Sequence, residues 1–563
     1  MPVSEQRRSR RRWVPVLLAV LVLVAGCMSK ASSDDGSGQD AAAQVTTAAP
    51  GQPLTVLADA DPGAAAVSAS RALYRSSDVA VVATGADPEG ALLGASAAVG
   101  LGVPLLLAGP GGLTADPLAG ELHRLGVVSV LAVGDVPAAG QDDGPVVVAV
   151  PARAEAVAAA TGLRFAAAEP VDQGREATAI AALHLREPAA LRPAGDAVAP
   201  PSGHSGRADR LPEFARPRPL RSVVVLADGG SASLAAVATA RAAGAAVVVT
   251  DGPDPRTSVD AIEALSADGT RAVVALGAGF AAAPDLDWQV ATARSGAQLP
   301  GGGQVLFPGR MLVALYGTPG SAALGVLGEQ GLDAGIERAR QHAAAFDALV
   351  DRPVVPAFEL IVTVASGAAG GDGNYSSELD PETFRPWVEA ARDAGIYVLL
   401  DLQPGRADFL SQAKQYQSLL EYPNVGLALD PEWRLAPGQL PLQQIGSVGI
   451  DEVNGVVTWL ADLTRERHLP QKLLVLHQFR ISTLPGREHL DTSRPELAVM
   501  VHADGQGSQG DKQATWRALH DAPLPPGPLH WGWKNFYDED HPMLTPQQTI
   551  EQVDPDPDLV TYQ

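Results

Sequence analysis

The sequence predicts an α/β protein, with a duplicated region of parallel sheets followed by a (β/α)8 barrel. Three observations predict it. Short, β-branched apolar runs alternate with Ala/Leu-rich stretches of helical length, which implies buried parallel strands covered by helices. The order of these elements recurs at an offset of about 143 residues. Beyond about residue 305 the spacing changes, and eight strand candidates fall within about 255 residues.

In the first copy, strands are expected at Asp78–Ala83, Val103–Ala108, Val127–Val133 and Val146–Val150, with helices at Pro88–Leu101 and Asp116–Leu125. In the second copy they are expected at Val223–Ala227, Ala245–Thr250 and Ala272–Leu276, with helices at Ser231–Ala243 and Ser258–Ala267. Gly102-Val103-Pro104-Leu105-Leu106-Leu107 aligns with Gly244-Ala245-Ala246-Val247-Val248-Val249, and Val130–Gly134 with Val273–Gly277. Pro200–Pro219 reads as a loop between the copies, and Ser295–Gly303 as the next linker. The chain is thus divided at 53–160, 161–294, 295–304 and 305–563, with residues 1–26 and 27–52 ahead of the folded part. Gly85 and Gly229 head neither a G-x-G-x-x-G nor a P-loop pattern, so no nucleotide or other cofactor is expected.

The barrel strands are placed at Leu312–Tyr316, Ala357–Val364, Tyr397–Leu402, Gly426–Leu429, Leu473–His477, Ala498–His502, Leu529–Trp533 and Leu559–Tyr562. Helices are expected at Glu337–Leu349, Pro381–Ala394, Ala407–Leu420, Ile450–Arg467 and Lys512–His520, with a loop after the fifth strand. A doubly wound sheet is the competing arrangement for this half.

The first residues read as an export signal. Five arginines between Arg7 and Arg12 precede the apolar run Trp13–Ala25, which is too short to cross a ~30 Å hydrocarbon core. Val24-Ala25-Gly26-Cys27 resembles a lipobox, which implies that the thiol of Cys27 takes a diacylglyceryl group and anchors the chain at the outer face of a membrane. Ser9–Val14 also resembles a twin-arginine export motif. Cys27 is the chain's one cysteine, so no internal disulfide can form and the cores must hold the fold. Residues 28–52, polar and without apolar periodicity, read as a flexible tether. The formal net charge of −23 becomes more negative once the arginine-rich leader is removed. Such a surface repels nucleic acid and anionic headgroups, so contact with the membrane falls to the lipid.

The duplicated region resembles the cell-wall-binding repeat type 2 family, through Pro88–Leu92, Gly102–Leu107, Glu121–Gly126 and Val130–Gly134. That resemblance implies non-covalent attachment to anionic cell-wall polymers, on a duplicated scaffold whose pattern is flavodoxin-like. The bland alternative is a duplicated scaffold with no binding role.

Chemistry in a barrel sits where strands end, at the C-terminal rim. The polar residues there are Tyr316, Glu359, Asp401, Gln403, Asp430, Glu432, His477, His502, Asp504, Trp533 and Lys534. Aromatics beside carboxylates suit a sugar ring. Asp430-Pro431-Glu432 is the sharpest element. On a strand, residues i and i+2 face one side, so both carboxyls would enter one pocket. Glycoside hydrolysis requires a carboxyl that keeps its proton beside one that orients or attacks. Gly426–Glu432 resembles the fourth-strand motif of chitinase-type glycosidases and the D-x-E of barrel lysozymes. The resemblance implies that Glu432 is the acid and Asp430 the carboxyl that positions an N-acetyl group. Ala428 and Pro431 depart from that motif.

The expected substrate is cell-wall polysaccharide or peptidoglycan. One competing reading is a metal hydrolase built on His477, His502 and Asp504. It is disfavoured because no strand carries His-x-His, and no metal is expected. The other is a wall-binding or assembly lipoprotein whose barrel has no catalytic role.

Overall fold

The computed structural model describes residues 44–137, 144–195, 208–230 and 232–563. Cys27, the leader and most of the tether lie outside the described residues.

The two copies build two four-stranded parallel sheets with the same order. In the first, Val79–Thr84 lies between Leu105–Ala108 and Ser129–Val133, and Val146–Val150 forms the far edge. In the second, Val223–Asp228 lies between Ala246–Thr250 and Ala272–Leu276. Its far edge is Leu54–Leu57, which comes from the start of the region and pairs with Ala272–Leu276. Leu54–Leu57 thus precedes the first sheet in the chain but belongs to the second.

Three helices fill the space between the sheets: Pro62–Leu73, Pro88–Leu101 and Leu234–Ala242. They are rich in alanine and glycine, which permits close approach. A Cβ added at Gly94 would lie 3.4 Å from the Ala83 Cβ. Helix Leu234–Ala242 of the second copy is tied to the first sheet by Thr239, whose hydroxyl donates to Leu105 O (3.0 Å) and accepts from Leu105 N (3.1 Å). Helix Pro88–Leu101 shows its limits in its sequence. Asp87 caps it by accepting from Gly90 N, Pro88 opens it, and Gly102 closes it at φ +77°.

Several elements escaped the sequence reading, helices Pro62–Leu73, Ala154–Thr161 and Leu286–Ala293 among them. Val45–Thr47, within the expected tether, pairs antiparallel with Tyr74–Ser77. Leu54–Leu57 is a strand. Residues Ala166–Val171, Glu176–Ala181 and Ala189–Pro193 form a small β-α-β unit.

The C-terminal part is a closed barrel of eight parallel strands: Met311–Gly317, Val354–Ala365, Tyr397–Leu402, Val425–Leu429, Lys472–His477, Leu497–Ala503, His530–Asn535 and Leu559–Tyr562. Each pairs with the next, and the eighth pairs with the first. A doubly wound sheet is excluded by that closure. Helices follow as expected, and the fifth strand is followed by short 3-10 turns. Two apolar layers result. One lies between strands and outer helices. The other fills the lower barrel with residues such as Ala314, Leu399, Val475 and Met500.

The expected linker Ser295–Gly303 is a plug for the barrel floor. Leu299, Leu306 and Phe307 join the lower interior layer. Gly301, Gly302 and Gly303 take φ values of +86°, +87° and +70°. That left-handed run folds the loop around Arg310, whose guanidinium donates to the carbonyls of Pro300, Gly302, Val305 and Leu306. The α/β region meets the barrel at Trp288, which Arg256 and Arg465 cover at 4.4 and 4.6 Å. Arg465 also pairs with Asp285 at 3.0 Å.

Candidate active site

The period of two along each strand decides which rim residues enter the barrel. Leu312 and Ala314 face the lower interior, so Tyr316 faces the mouth. By the same alternation Ala357 leads to Glu359, Leu399 to Asp401, Ala428 to Asp430, Val475 to His477 and Met500 to His502. Above the apolar floor the barrel thus carries a polar layer, almost wholly buried.

His477 is its centre. Its Nε2 donates to Glu359 Oε1 at 2.8 Å, and its Nδ1 meets Asp504 Oδ2 at 3.2 Å. Asp401 Oδ1 lies 3.8 Å from Nε2. Burial alone would strip the proton from this imidazole, but Glu359 and Asp504 hold its pKa well above the ordinary range. The same contact has the reverse effect on Glu359: burial pushes the carboxyl up, and His477 overrides this to about 2. Asp504 is likewise held low. His502 is the neutral partner. Burial drops it to about 3, and its Nε2 meets Thr561 Oγ1 at 3.0 Å. Thr561 also donates to Glu359 Oε2 at 3.3 Å. Thr561 went unread because the apparent strand end drew attention to Tyr562. Counting from the inward Leu559 would have found it.

Three other carboxyls are pushed above the ordinary carboxylate range. Burial raises Asp401 to about 6 despite His477, and Tyr316 donates to its Oδ2 at 2.9 Å. Burial and then Glu432 raise Asp430 well above the usual carboxylate range. Burial and then Asp504 raise Glu432 to about 7. Asp401 Oδ1, Asp430 Oδ1, Asp504 Oδ1 and His502 Nδ1 are buried without a hydrogen-bond partner among the described residues. Such a group of open positions is costly unless water or a ligand fills it.

Two expectations need correction. Glu432 does not continue the fourth strand, because Pro431 opens a 3-10 turn at Pro431–Trp433. The i, i+2 argument therefore fails, although the turn still brings Glu432 into the same electrostatic group as Asp430, Asp504 and His477. Trp533 does not line the mouth. Its neighbour Lys534 points inward, so Trp533 points outward, against Trp516 at 5.6 Å, and its Nε1 donates to Asn535. Adjacent strand residues cannot both face the barrel. Gln403 is buried beside Tyr316, but its Oε1 is occupied by Ala365 N.

Glu359, His477 and His502 place ligand-type atoms within 4.8 Å of one another, a carboxylate-plus-two-imidazole group that could hold a metal ion. A metal would have to replace the His477–Glu359 bond and take His477 as the neutral imidazole. The two flanking carboxylates favour the imidazolium.

No protein-family model matches the chain, and no curated protein matches it. The repeat resemblance therefore rests on the residues quoted above. The chain is similar to Cwp6 from Clostridium difficile. The identity is 13% and the TM-score 0.31, over 57% of this chain and 64% of that one. The chain spans less than two thirds of that protein's length, and a likeness this slight carries no argument about function.

Proposed function

We propose that the protein is an envelope lipoprotein whose barrel hydrolyses a cell-wall glycan by carboxyl acid/base chemistry. One observation carries this reading. A carboxyl with a pKa of about 7, Glu432, sits beside a second raised carboxyl, Asp430, at the mouth of a parallel barrel. Glu432 gives its proton to the glycosidic oxygen as the C1–O bond breaks. Asp430, with an open oxygen, orients the sugar, in line with the chitinase-type resemblance. In that chemistry the substrate's own N-acetyl oxygen attacks C1. Water then opens the intermediate, with Glu432 taking a proton from it. Tyr316, Asp401 and His502 stand around the ring, and the Glu359–His477–Asp504 chain fixes the polar floor.

The leader and Cys27 support the location. For the α/β region we propose docking to the wall. A cavity of about 550 Å³ lies at the C-terminal ends of its strands, lined by Gly85, Gly229 and Glu176 among others. Crevices at that edge are the usual ligand sites of open α/β sheets.

The test is release of reducing ends from peptidoglycan by the full-length chain in detergent, with arabinogalactan, whose sugars carry no N-acetyl group to attack C1, as the polymer expected to release none. Glu432→Gln is expected to lower the rate about 10²- to 10⁴-fold, the range for a lost general acid. An equally active Glu432→Gln variant removes the proposed acid. Inactivity of the parent on every glycan would favour the non-catalytic wall-binding reading.

A further inference from the structure

The edge of the α/β region where the chain enters the fold carries arginines that no carboxylate engages. Thr47 ends the first strand, and its hydroxyl donates to Arg218 O at 3.1 Å. Residues 216–219 there cross the C-terminal ends of two helices. Pro217 packs on Gly102, which closes Pro88–Leu101, and Pro219 packs on Gly244, just beyond Leu234–Ala242. A cavity of about 120 Å³ lies between them, and Arg186 and Arg216 line it.

Part of this charge has a structural role. Arg216 donates to Val99 O at 3.1 Å and to Leu185 O, and Arg241 donates to Leu183 O at 2.9 Å. Basic groups suit the ends of helices, where carbonyls lack partners. That role does not extend to Arg186, Arg218 and Arg221. All three are exposed, and among the described residues their side chains have no hydrogen bond or ion pair. Glu187 and Glu213, the carboxylates nearest along the chain, pair with none of them. The charged side chain that acts on Arg216 is Arg186, which repels it. In a chain with a formal net charge of −23, neighbouring arginines without a carboxylate need another source of negative charge.

We propose that this edge docks on the anionic phospholipid headgroups of the membrane that holds the anchor, an inference resting on the reading of Cys27 as lipidated. Two observations favour a lipid surface over a soluble partner. Sixteen residues separate Cys27 from Gln44. A chain of that length spans at most about 60 Å, so the edge that takes it up stays close to the bilayer. The free arginines are also spread along an exposed edge, which suits a plane of headgroups better than one small ligand. The acidic remainder of the surface does not forbid this contact. Its repulsion is screened beyond about 8 Å at physiological salt, whereas each arginine at an anionic surface strengthens binding roughly fivefold. Docked in this way, the larger cavity at the C-terminal ends of the strands faces away from the bilayer.

The test is flotation of the full-length Cys27→Ser chain, which cannot carry the lipid. The vesicles are phosphatidylcholine alone, or equimolar phosphatidylcholine and phosphatidylglycerol. A variant with Arg186, Arg218 and Arg221 all replaced by Gln should bind the anionic vesicles about 10- to 100-fold less than its parent and the neutral ones equally. The leader is common to both chains and cancels in that comparison. High salt should close the gap. Lys at the three positions should keep most of the binding, which decides the matter if the Gln variant does not fold. Gln at Arg340, Arg480 and Arg517, exposed on the barrel, should cost little. Equal binding by the parent and the folded Gln variant overturns the inference, as does an equal loss in the barrel control. Binding of a soluble glycerol-phosphate polymer without any preference among vesicles also overturns it, and would assign the edge to a wall polymer. Mass spectrometry of the native chain extracted from membranes reads Cys27 separately. An unmodified Cys27 with the vesicle preference intact would remove the anchor reading alone. A lipidated Cys27 without the preference would remove this inference alone.

Discussion

Neutralising Glu359 tests the central ion pair most directly. Glu359→Gln keeps the shape and removes the charge that faces His477 Nε2 at 2.8 Å, between two fully buried side chains. Glu359 falls from an ordinary 4.5 to about 2 on folding. A shift of that size contributes about 3 kcal/mol at neutral pH. Breaking a buried pair by removing one partner costs about 3–5 kcal/mol, and Asp504 remains to hold His477, so the lower end applies. The sign follows from linkage. A depressed carboxyl stabilises above its unfolded value of 4.5, and that contribution fades as pH falls toward 2. Six of the eight tryptophans lie in the barrel, so tryptophan fluorescence follows its unfolding. Denaturant titrations at pH 7 should place the variant about 3 kcal/mol below the parent, with the gap narrowing steadily below pH 4.5. Equal stability at pH 7, or a gap as wide at pH 3 as at pH 7, would refute the ion-pair account.

Other outcomes follow from the same geometry. Glycan hydrolysis should decline as pH rises through about 7, where Glu432 loses its proton, and pH–rate profiles should lose that limb in Glu432→Gln. Gly426→Ala should be severely destabilising, because the added Cβ would lie 2.5 Å from Leu473 O and 2.8 Å from the Tyr397 hydroxyl. A soluble variant with the parent's melting temperature would contradict that packing. Trp533→Leu should cost roughly 2 kcal/mol of stability while leaving oligosaccharide affinity intact, since the ring packs in the outer layer. Loss of affinity with the fold preserved would place that ring in the sugar site.

The barrel was legible in the sequence because its strands are fully buried and interrupted by capped helices. Pro381–Ala394 was bounded correctly because Asp380, Pro381 and Gly395 mark both its ends. The rim residues were legible as a set, since strand ends are identifiable, but orientation was read less well. Asp430-Pro431-Glu432 invited a strand argument where the proline begins a turn. Trp533 and Lys534 stand together in the rim set although neighbours on a strand face opposite sides. Leu54–Leu57 was missed because an edge strand this short carries no periodic signal of its own. Its place depends on a partner more than two hundred residues later, a separation that pattern reading does not reach.

That late partner has a mechanical consequence. In the first sheet the fourth place is filled by the next strand along the chain. In the second, the chain must return to its beginning, so the second copy is incomplete until residues 54–57 dock. The ladder identifies which residues hold that edge. Pro53 O accepts from Val273 N, and Leu57 O accepts from Gly277 N. Residues 53, 55 and 57 therefore face the neighbouring strand, and Val56 faces away. In a parallel pair the N–H and C=O of one residue point the same way. Thr55→Pro thus removes a ladder donor and leaves a carbonyl of the neighbouring strand without its partner, at a cost of about 1–3 kcal/mol. Val56→Pro removes an N–H that pairs with nothing in the sheet. Hydrogen exchange of the Ala272–Leu276 amides should accelerate in Thr55→Pro and change little in Val56→Pro. Equal acceleration in both variants would mean that the edge is held by side-chain packing and not by its ladder.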